Sequence, residues 1–415
     1  MDNPILGQET TLSDNSVSAV SYARAMNKRA ENSTPDKPLY TGRYFAVLKD
    51  GVKNFKKTTK IFHNSAGLTT ASFSDFSLQD FGAAASVTQA DVLTYDHLGV
   101  ALVSGNDQQL QAVEENNAEY VLFPEKVVYV PEDIISINAG FATWGLDITK
   151  VSNSAYTGKG VKVAILDTGF DFSHPDFNGR NITQQSFVPN ESTDDKHGHG
   201  THCIGTACGK RDNAEVRYGV ASESDIHVGK VLNNQGSGAQ QYLLDGITWA
   251  ANNGCKVISM SLSSKVFPGS GYDLVYERAA QYANSKGAIL VAASGNESHR
   301  SMGIFNPVGS PADCPSVLAV AALDANLNIA DFSNRSINEN AQIDIAAPGV
   351  DIYSSWLMPT RYRGISGTSM ATPHVAVFWH YYGKNIPIII ISRLQWKYLN
   401  LQGDSQYLLL MRGMV

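Results

Sequence analysis

The 415 residues are enough for one to three domains with a large core. An apolar share of 43% and a charged share of 17% fit a globular protein and argue against wholesale disorder. A formal charge of -7 leaves no basic footprint for nucleic acid. No apolar run approaches the roughly 18 residues of a membrane span; the longest candidate, residues 386–391, is far too short.

Residues 1–30 are polar and rich in Ser and Asn. They lack the apolar stretch of about 7–15 residues that a secretion signal requires. Residues 1–41 read as a disordered leader, with Ser33-Thr34-Pro35-Asp36-Lys37-Pro38 near its end. A small α+β module is expected over residues 42–135. Arg43-Tyr44-Phe45-Ala46-Val47-Leu48 and Gly99-Val100-Ala101-Leu102-Val103 read as strands. Asn106 is placed to cap a helix through Gln111-Ala112-Val113-Glu114. Tyr120-Val121-Leu122-Phe123 and Val127-Val128-Tyr129-Val130 read as further strands.

From Tyr156-Thr157-Gly158-Lys159-Gly160 onwards the pattern alternates strand and helix. Residues 161–166, 226–232, 257–262, 288–293 and 317–323 are short apolar runs suited to buried parallel strands. Helical patterns over 240–253 and 272–286 are stopped by Gly254 and Gly287. This alternation predicts an α/β fold with a parallel sheet, in which sites gather at the carboxyl ends of strands. Asp167, Ser261 and Asn296 fall where strands should end. The four cysteines, Cys203, Cys208, Cys255 and Cys314, have no zinc-finger spacing and read as buried free thiols.

Three short segments carry chemistry together. Val163-Ala164-Ile165-Leu166-Asp167-Thr168-Gly169 supplies an acid, and His197-Gly198-His199-Gly200-Thr201-His202 supplies a base. Gly367-Thr368-Ser369-Met370-Ala371-Thr372-Pro373-His374-Val375-Ala376 supplies a hydroxyl. A serine hydroxyl becomes a nucleophile when a neighbouring base accepts its proton, and a carboxylate beside that base stabilises the resulting imidazolium. Competing readings of the same letters fall away. The clustered histidines lack the ligand spacing of a known zinc protease. Asp167-Thr168-Gly169 has no second copy, as an aspartic protease would need. No Gly-x-Ser-x-Gly surrounds Ser369, which disfavours an α/β-hydrolase esterase.

The order Asp…His…Ser and the three motifs resemble those of the subtilisin-like serine proteases, strongly over residues 141–376 and by pattern and position over 42–130. The resemblance implies a subtilisin-like parallel sheet flanked by helices over residues 136–415, preceded by a ferredoxin-like inhibitory propeptide domain over 42–135. It implies a serine endopeptidase made as a zymogen, cut near residues 130–142, with Asp167, His199 and Ser369 as triad. Asn296, in Ala293-Ser294-Gly295-Asn296-Glu297, is the implied oxyanion donor; the glycosylation sequon it shares with Ser298 is discounted, because a sugar there would block catalysis. Ser261-Leu262-Ser263 and Gly236-Ser237-Gly238 resemble the segments that bind an extended peptide by strand addition. Ser263 stands where many relatives have Gly, which would narrow the primary specificity pocket.

No cofactor is required for this chemistry. The resemblance leaves structural calcium open at Asp176 and at Asp344 with the carbonyls of Pro315 and Val317, positions similar to calcium sites of some family members. Expected partners are protein or peptide substrates and the chain's own propeptide, with no nucleic acid, no membrane and a monomeric state. The resemblance implies secretion; the absence of a visible signal peptide leaves a cytoplasmic alternative. After Ala376 the chain departs from the family: Val377-Phe378-Trp379-His380-Tyr381-Tyr382 brings bulk where small residues normally let the helix pack closely. This tail reads as a frame or splice error or a diverged segment. Two alternatives follow: a catalytically impaired binding protein of the same fold, or a peptide ligase on that fold.

Overall fold

The computed structural model describes residues 19–33, 37–49, 55–75, 90–115, 119–132, 134–135, 144–149, 151 and 156–383. Residues 384–415, most of the unusual tail, lie outside the described residues, as do the side chains of 378–383.

Helix α1 (Ala19–Ser33) corrects part of the expected disordered leader. Its buried Val20, Ala23 and Met26 recur at helical spacing and join the core of the module. Asn27 fastens the helix to the chain beyond it: its Oδ1 accepts from the amides of Leu39, at 3.0 Å, and Tyr40, at 2.9 Å.

The module continues with β1 (Tyr40–Leu48), α2 (Phe55–Ala66), β2 (Thr70–Ser72), β3 (Val92–Tyr95) and β4 (Val100–Val103), then α3 (Asp107–Glu115) and β5 (Tyr120–Tyr129). Asn106 caps α3 reciprocally: its Oδ1 accepts from Gln109 N, and its own N donates to Gln109 Oε1, both at 3.0 Å. Strand β1 lies between β4 and β5, antiparallel to both. Past β5 come the short strand β6 (Ile134–Ile135) and helix α4 (Trp144–Ile148).

The larger unit runs through β7 (Lys162–Asp167), β8 (Ile182–Ser186), α5 (His199–Cys208), β9 (Asp225–Lys230), β10 (Ser237–Ala239), α6 (Gln240–Asn252), β11 (Val257–Met260), α7 (Leu274–Ser285) and β12 (Ile289–Ala293). It ends with β13 (Val317–Leu323), β14 (Ile345–Pro348), β15 (Ile352–Ser355), β16 (Tyr362–Ser366) and α8 (Thr368–Gly383). Seven strands form a parallel sheet in the order β14-β13-β12-β11-β7-β9-β8. Along β7, Val163 and Ile165 enter the core shared with α5 and α8, while Ala164 and Leu166 enter the core shared with α6 and α7. Helices on both faces explain why this strand is apolar throughout rather than alternating. The expected α/β fold is therefore present.

The module sits on α6 and α7. Phe45, Val47, Tyr95, Leu102 and Val128 share one apolar core with Leu243, Leu244 and Tyr276. Polar contacts fix its placement. The fully buried Glu125 accepts from Arg43 Nε at 2.7 Å and Nη2 at 3.0 Å, from the Thr41 hydroxyl, and from Gln241 N at 3.0 Å in the first turn of α6. A carboxylate at that helix end also meets the positive pole of the dipole. Lys126 Nζ lies 3.1 Å from Asp273 Oδ2, and Asp273 Oδ1 caps α7 by accepting from Val275 N and Tyr276 N.

Candidate active site

Asp167 closes β7 and His199 opens α5, both buried, with Asp167 Oδ1 and His199 Nδ1 2.7 Å apart. The same carboxylate oxygen accepts from Thr168 N at 2.7 Å. A carboxylate on Nδ1 fixes the tautomer that leaves Nε2 able to accept a proton. Ser369 stands second in α8, fully buried, and its hydroxyl has no hydrogen-bond partner among the described residues. Cys203 Sγ connects the two segments, 3.9 Å from His199 Nδ1 and 3.7 Å from the Ser369 carbonyl oxygen. Ser261, just past β11, donates its hydroxyl to that carbonyl at 2.8 Å.

Asp167, His199 and Cys203 each offer a ligand atom within 4.8 Å of the others, a cluster that coincides with the acid–base pair. Burial pushes the Cys203 thiol up to about 12, so it stays protonated. The neighbouring His202 is held neutral, pulled down to about 3 by burial, with Nε2 at 2.9 Å from the Ile352 carbonyl and 3.1 Å from that of Arg363.

Asn296 lies beyond β12, and Thr368 orients it. Asn296 Oδ1 accepts from Thr368 N at 2.9 Å and from Thr368 Oγ1 at 2.8 Å, so its amide nitrogen points away from that helix. The Thr368 hydroxyl thus serves Asn296. The preceding Gly295 has φ +103°, and a Cβ there would stand 2.4 Å from Asn334 Nδ2, so only glycine fits.

Sequence reasoning missed Asp195. Its buried carboxylate accepts from Thr168 Oγ1 (3.0 Å), His197 N (2.9 Å) and Gly198 N (2.9 Å) through Oδ1, and from Thr201 N (2.9 Å) and Thr201 Oγ1 (2.8 Å) through Oδ2. Thr168 Oγ1 in turn accepts from Gly200 N at 2.9 Å. Asp195 thus ties the loop and first turn that carry His199 to the residue beside Asp167. Lys230, fully buried, adds a cation nearby and donates to the Thr168 carbonyl at 2.6 Å. Gly198, at φ +100°, packs its Cα against the Trp356 ring, where a Cβ would meet the indole at 2.5 Å. The only sequence signal for Asp195 is an acid four residues before His199.

The two segments expected to bind a peptide are paired with the chain itself. Strand β10 pairs antiparallel with the end of β5, Ser237 opposite Tyr129 and Gly238 opposite Val128. Val130 N donates to the Gly236 carbonyl at 2.8 Å. On the other side Tyr129 and Ser263 exchange both main-chain bonds at 2.9 Å. Leu262 turns into the core, and the Ser263 hydroxyl fills the space over Gly309, where a Cβ would lie 2.0 Å from it. Further along, Asn296 Nδ2 donates to the Glu132 carbonyl at 3.2 Å. Beyond it β6 pairs with β16, Ile134 opposite Ser366.

Calcium does not fit Asp176. Its carboxylate is occupied by Arg361 Nη2 at 2.9 Å and by the hydroxyls of Tyr218, at 2.8 Å, and Tyr362, at 2.8 Å and 3.0 Å. Burial, then Asp176 itself, raises the Tyr362 phenol to about 12, so these are proton donors around an anion. A hard cation needs six or more oxygen acceptors; here a guanidinium supplies the positive charge. At the other candidate position, Asp344 Oδ2 accepts from Ala319 N at 2.9 Å.

Residues 158–382 match the family described as the subtilase family. Over 228 residues the chain is 41% identical to Subtilisin DY of Bacillus licheniformis, spanning 55% of this chain and 78% of that protein. It is 41% identical over 220 residues to Thermitase of Thermoactinomyces vulgaris, covering 53% and 73%. It is 39% identical over 256 residues to Subtilisin E of Bacillus subtilis (strain 168), covering 60% and 63%. The chain belongs to the subtilase family and is a subtilisin-like serine endopeptidase. Among the described residues no helix is long and apolar enough to cross a membrane.

Proposed function

We propose that the protein hydrolyses peptide bonds in proteins through an acyl-enzyme formed on Ser369, and that it is made as a zymogen. His199 Nε2 takes the proton of Ser369 Oγ as that oxygen attacks the carbonyl carbon of the scissile bond. Asp167, on Nδ1, stabilises the imidazolium. The oxyanion is received by Asn296 Nδ2 and the Ser369 backbone N–H. His199 returns the proton to the leaving amine, and water then releases the acid by the same path in reverse.

The inhibitory domain in this reading is the module over residues 42–135, with α1 as an added brace, and the peptidase domain is 136–415. One observation carries the reading: residues 127–130 lie as a strand between 236–239 and Ser263, with the Glu132 carbonyl on the Asn296 amide. A carbonyl at an oxyanion donor makes Glu132–Asp133 the bond offered for self-cleavage, within the 130–142 interval expected from sequence. Strand addition reads main chain, so diverse protein substrates are accommodated. Monomeric action and secretion, implied by the family resemblance, belong to the same reading, and release into culture medium tests the latter. The chemistry is tested with a serine-directed phosphonylating reagent. It labels Ser369 in the wild type, and Ser369→Ala loses both labelling and hydrolysis while keeping its circular dichroism spectrum. Undiminished hydrolysis by Ser369→Ala would remove the serine mechanism.

A further inference from the structure

The seam between the module and the catalytic domain contains a buried acid that forms no ion pair among the described residues. Asp245, in the second turn of α6, is 2% exposed, and its Oδ1 accepts from the hydroxyl of the fully buried Tyr95, at the end of β3, at 2.7 Å. The other carboxylates of this seam each have their own cation, Glu125 with Arg43 and Asp273 with Lys126. Among the described residues Asp245 has no ion pair; its side-chain partners are the neutral groups of Tyr95 and Gln241. The charged and polar groups facing it are Arg43 from β1, Glu125 from β5, Tyr95 from β3 and Gln241 from its own helix. A second titratable group shares the seam. His97, in the turn after β3, has Nε2 3.4 Å from Thr248 Oγ1 and its ring 4.7 Å from that of Tyr282, with Asp96 and Lys286 as its charged neighbours.

We propose that the α6–α7 surface binds the module as a proton-linked partner: docking requires the neutral acid at Asp245, and the module loosens as that acid ionises. This rests on the zymogen reading and adds the condition under which inhibition is lifted. A carboxylate taken into this seam would lose water and gain only neutral donors from Tyr95 and Gln241, with Arg43 beyond ion-pair distance, whereas the protonated acid needs neither water nor a counterion.

The pH window follows from linkage. Burial pushes the docked Asp245 carboxyl up to about 8, against 3.8 when α6 faces water. Between those values docking takes up a proton, so docking weakens as pH rises. Burial pulls docked His97 down to about 4 from 6.5. Between those values docking releases a proton, so this group favours docking as pH rises. The two effects oppose each other up to pH 6.5, where His97 ceases to contribute. Above it Asp245 dominates, and docking weakens by up to tenfold per pH unit, roughly tenfold in all by pH 8, where Asp245 is half ionised.

The test uses the full chain carrying Ser369→Ala, so that it stays uncut. Hydrogen exchange is followed at the amides of Tyr129 and Val130, which donate across the seam, and corrected for intrinsic exchange. Protection is expected to be nearly level from pH 5 to 6.5 and to fall roughly tenfold by pH 8. Adding Asp245→Asn, which keeps an acceptor for Tyr95 without a titrating proton, should hold the pH 6.5 protection up to pH 8. Adding His97→Gln should make the fall begin near pH 4. A wild-type fall in the Asp245→Asn chain, or a flat profile in both, overturns the proton linkage and leaves the inhibitor reading standing. Amides unprotected at every pH overturn the docked module, and both ideas with it.

Discussion

Thr368 holds Asn296 from two sides, its N and its Oγ1 both donating to Asn296 Oδ1, at 2.9 Å and 2.8 Å. The residue before Ser369 therefore aims the Asn296 amide, which the proposed mechanism assigns to the oxyanion. Thr368→Val keeps the shape and the main-chain bond but removes one of the two tethers. Turnover should fall about tenfold with the Michaelis constant unchanged, because the amide is needed along the reaction path and not for binding. Asn296→Ala should fall further, roughly 100–1,000-fold, the magnitude known for this family's oxyanion amide. Steady-state kinetics on one peptide substrate read both; a rise in the Michaelis constant at constant turnover would place Asn296 in ground-state binding instead.

Asp195 gathers five hydrogen bonds on a buried carboxylate, three of them from the amides of His197, Gly198 and Thr201 around His199. Asp195→Asn presents an NH2 to groups that are already donors. It should destabilise the fold by ~2–3 kcal/mol and lower turnover more than tenfold at temperatures where the variant remains folded. Thermal unfolding and kinetics together check this. Full turnover in a destabilised variant would confine Asp195 to stability.

Arg361 supplies the positive charge at Asp176, where calcium was an expectation. Chelation should leave the thermal midpoint unchanged, and Arg361→Ala should lower stability by about 2 kcal/mol, discounted from a fully buried pair because the guanidinium is partly exposed. Scanning calorimetry with and without a chelator decides. A midpoint that drops on chelation in the wild type would show that calcium is held elsewhere in the chain.

The parallel sheet was legible because strands covered on both faces are apolar throughout, and the run over 161–166 became β7 almost unchanged. The reciprocal cap at Asn106 was legible because it is local. Helix α1 was not, since its three buried side chains form a narrow stripe among polar neighbours, and its stability comes from packing on a sheet formed later in the chain. Asp195 escaped because it collects main-chain amides, which leave no side-chain pattern. The Asp176–Arg361 pair joins positions 185 residues apart, beyond any local spacing rule. The bulky side chains of 378–382, whose packing the sequence calls into question, lie outside those described.

The account turns on the chain lying in its own cleft with the Glu132 carbonyl at Asn296. Intact mass and amino-terminal sequencing of the purified protein test this most directly, comparing wild type with Ser369→Ala. The account predicts a new amino terminus at Asp133 in the wild type, by cleavage after Glu132, and an uncut chain in the variant. The same cleavage in Ser369→Ala, or a wild-type chain that stays full length while hydrolysing substrate normally, would contradict it.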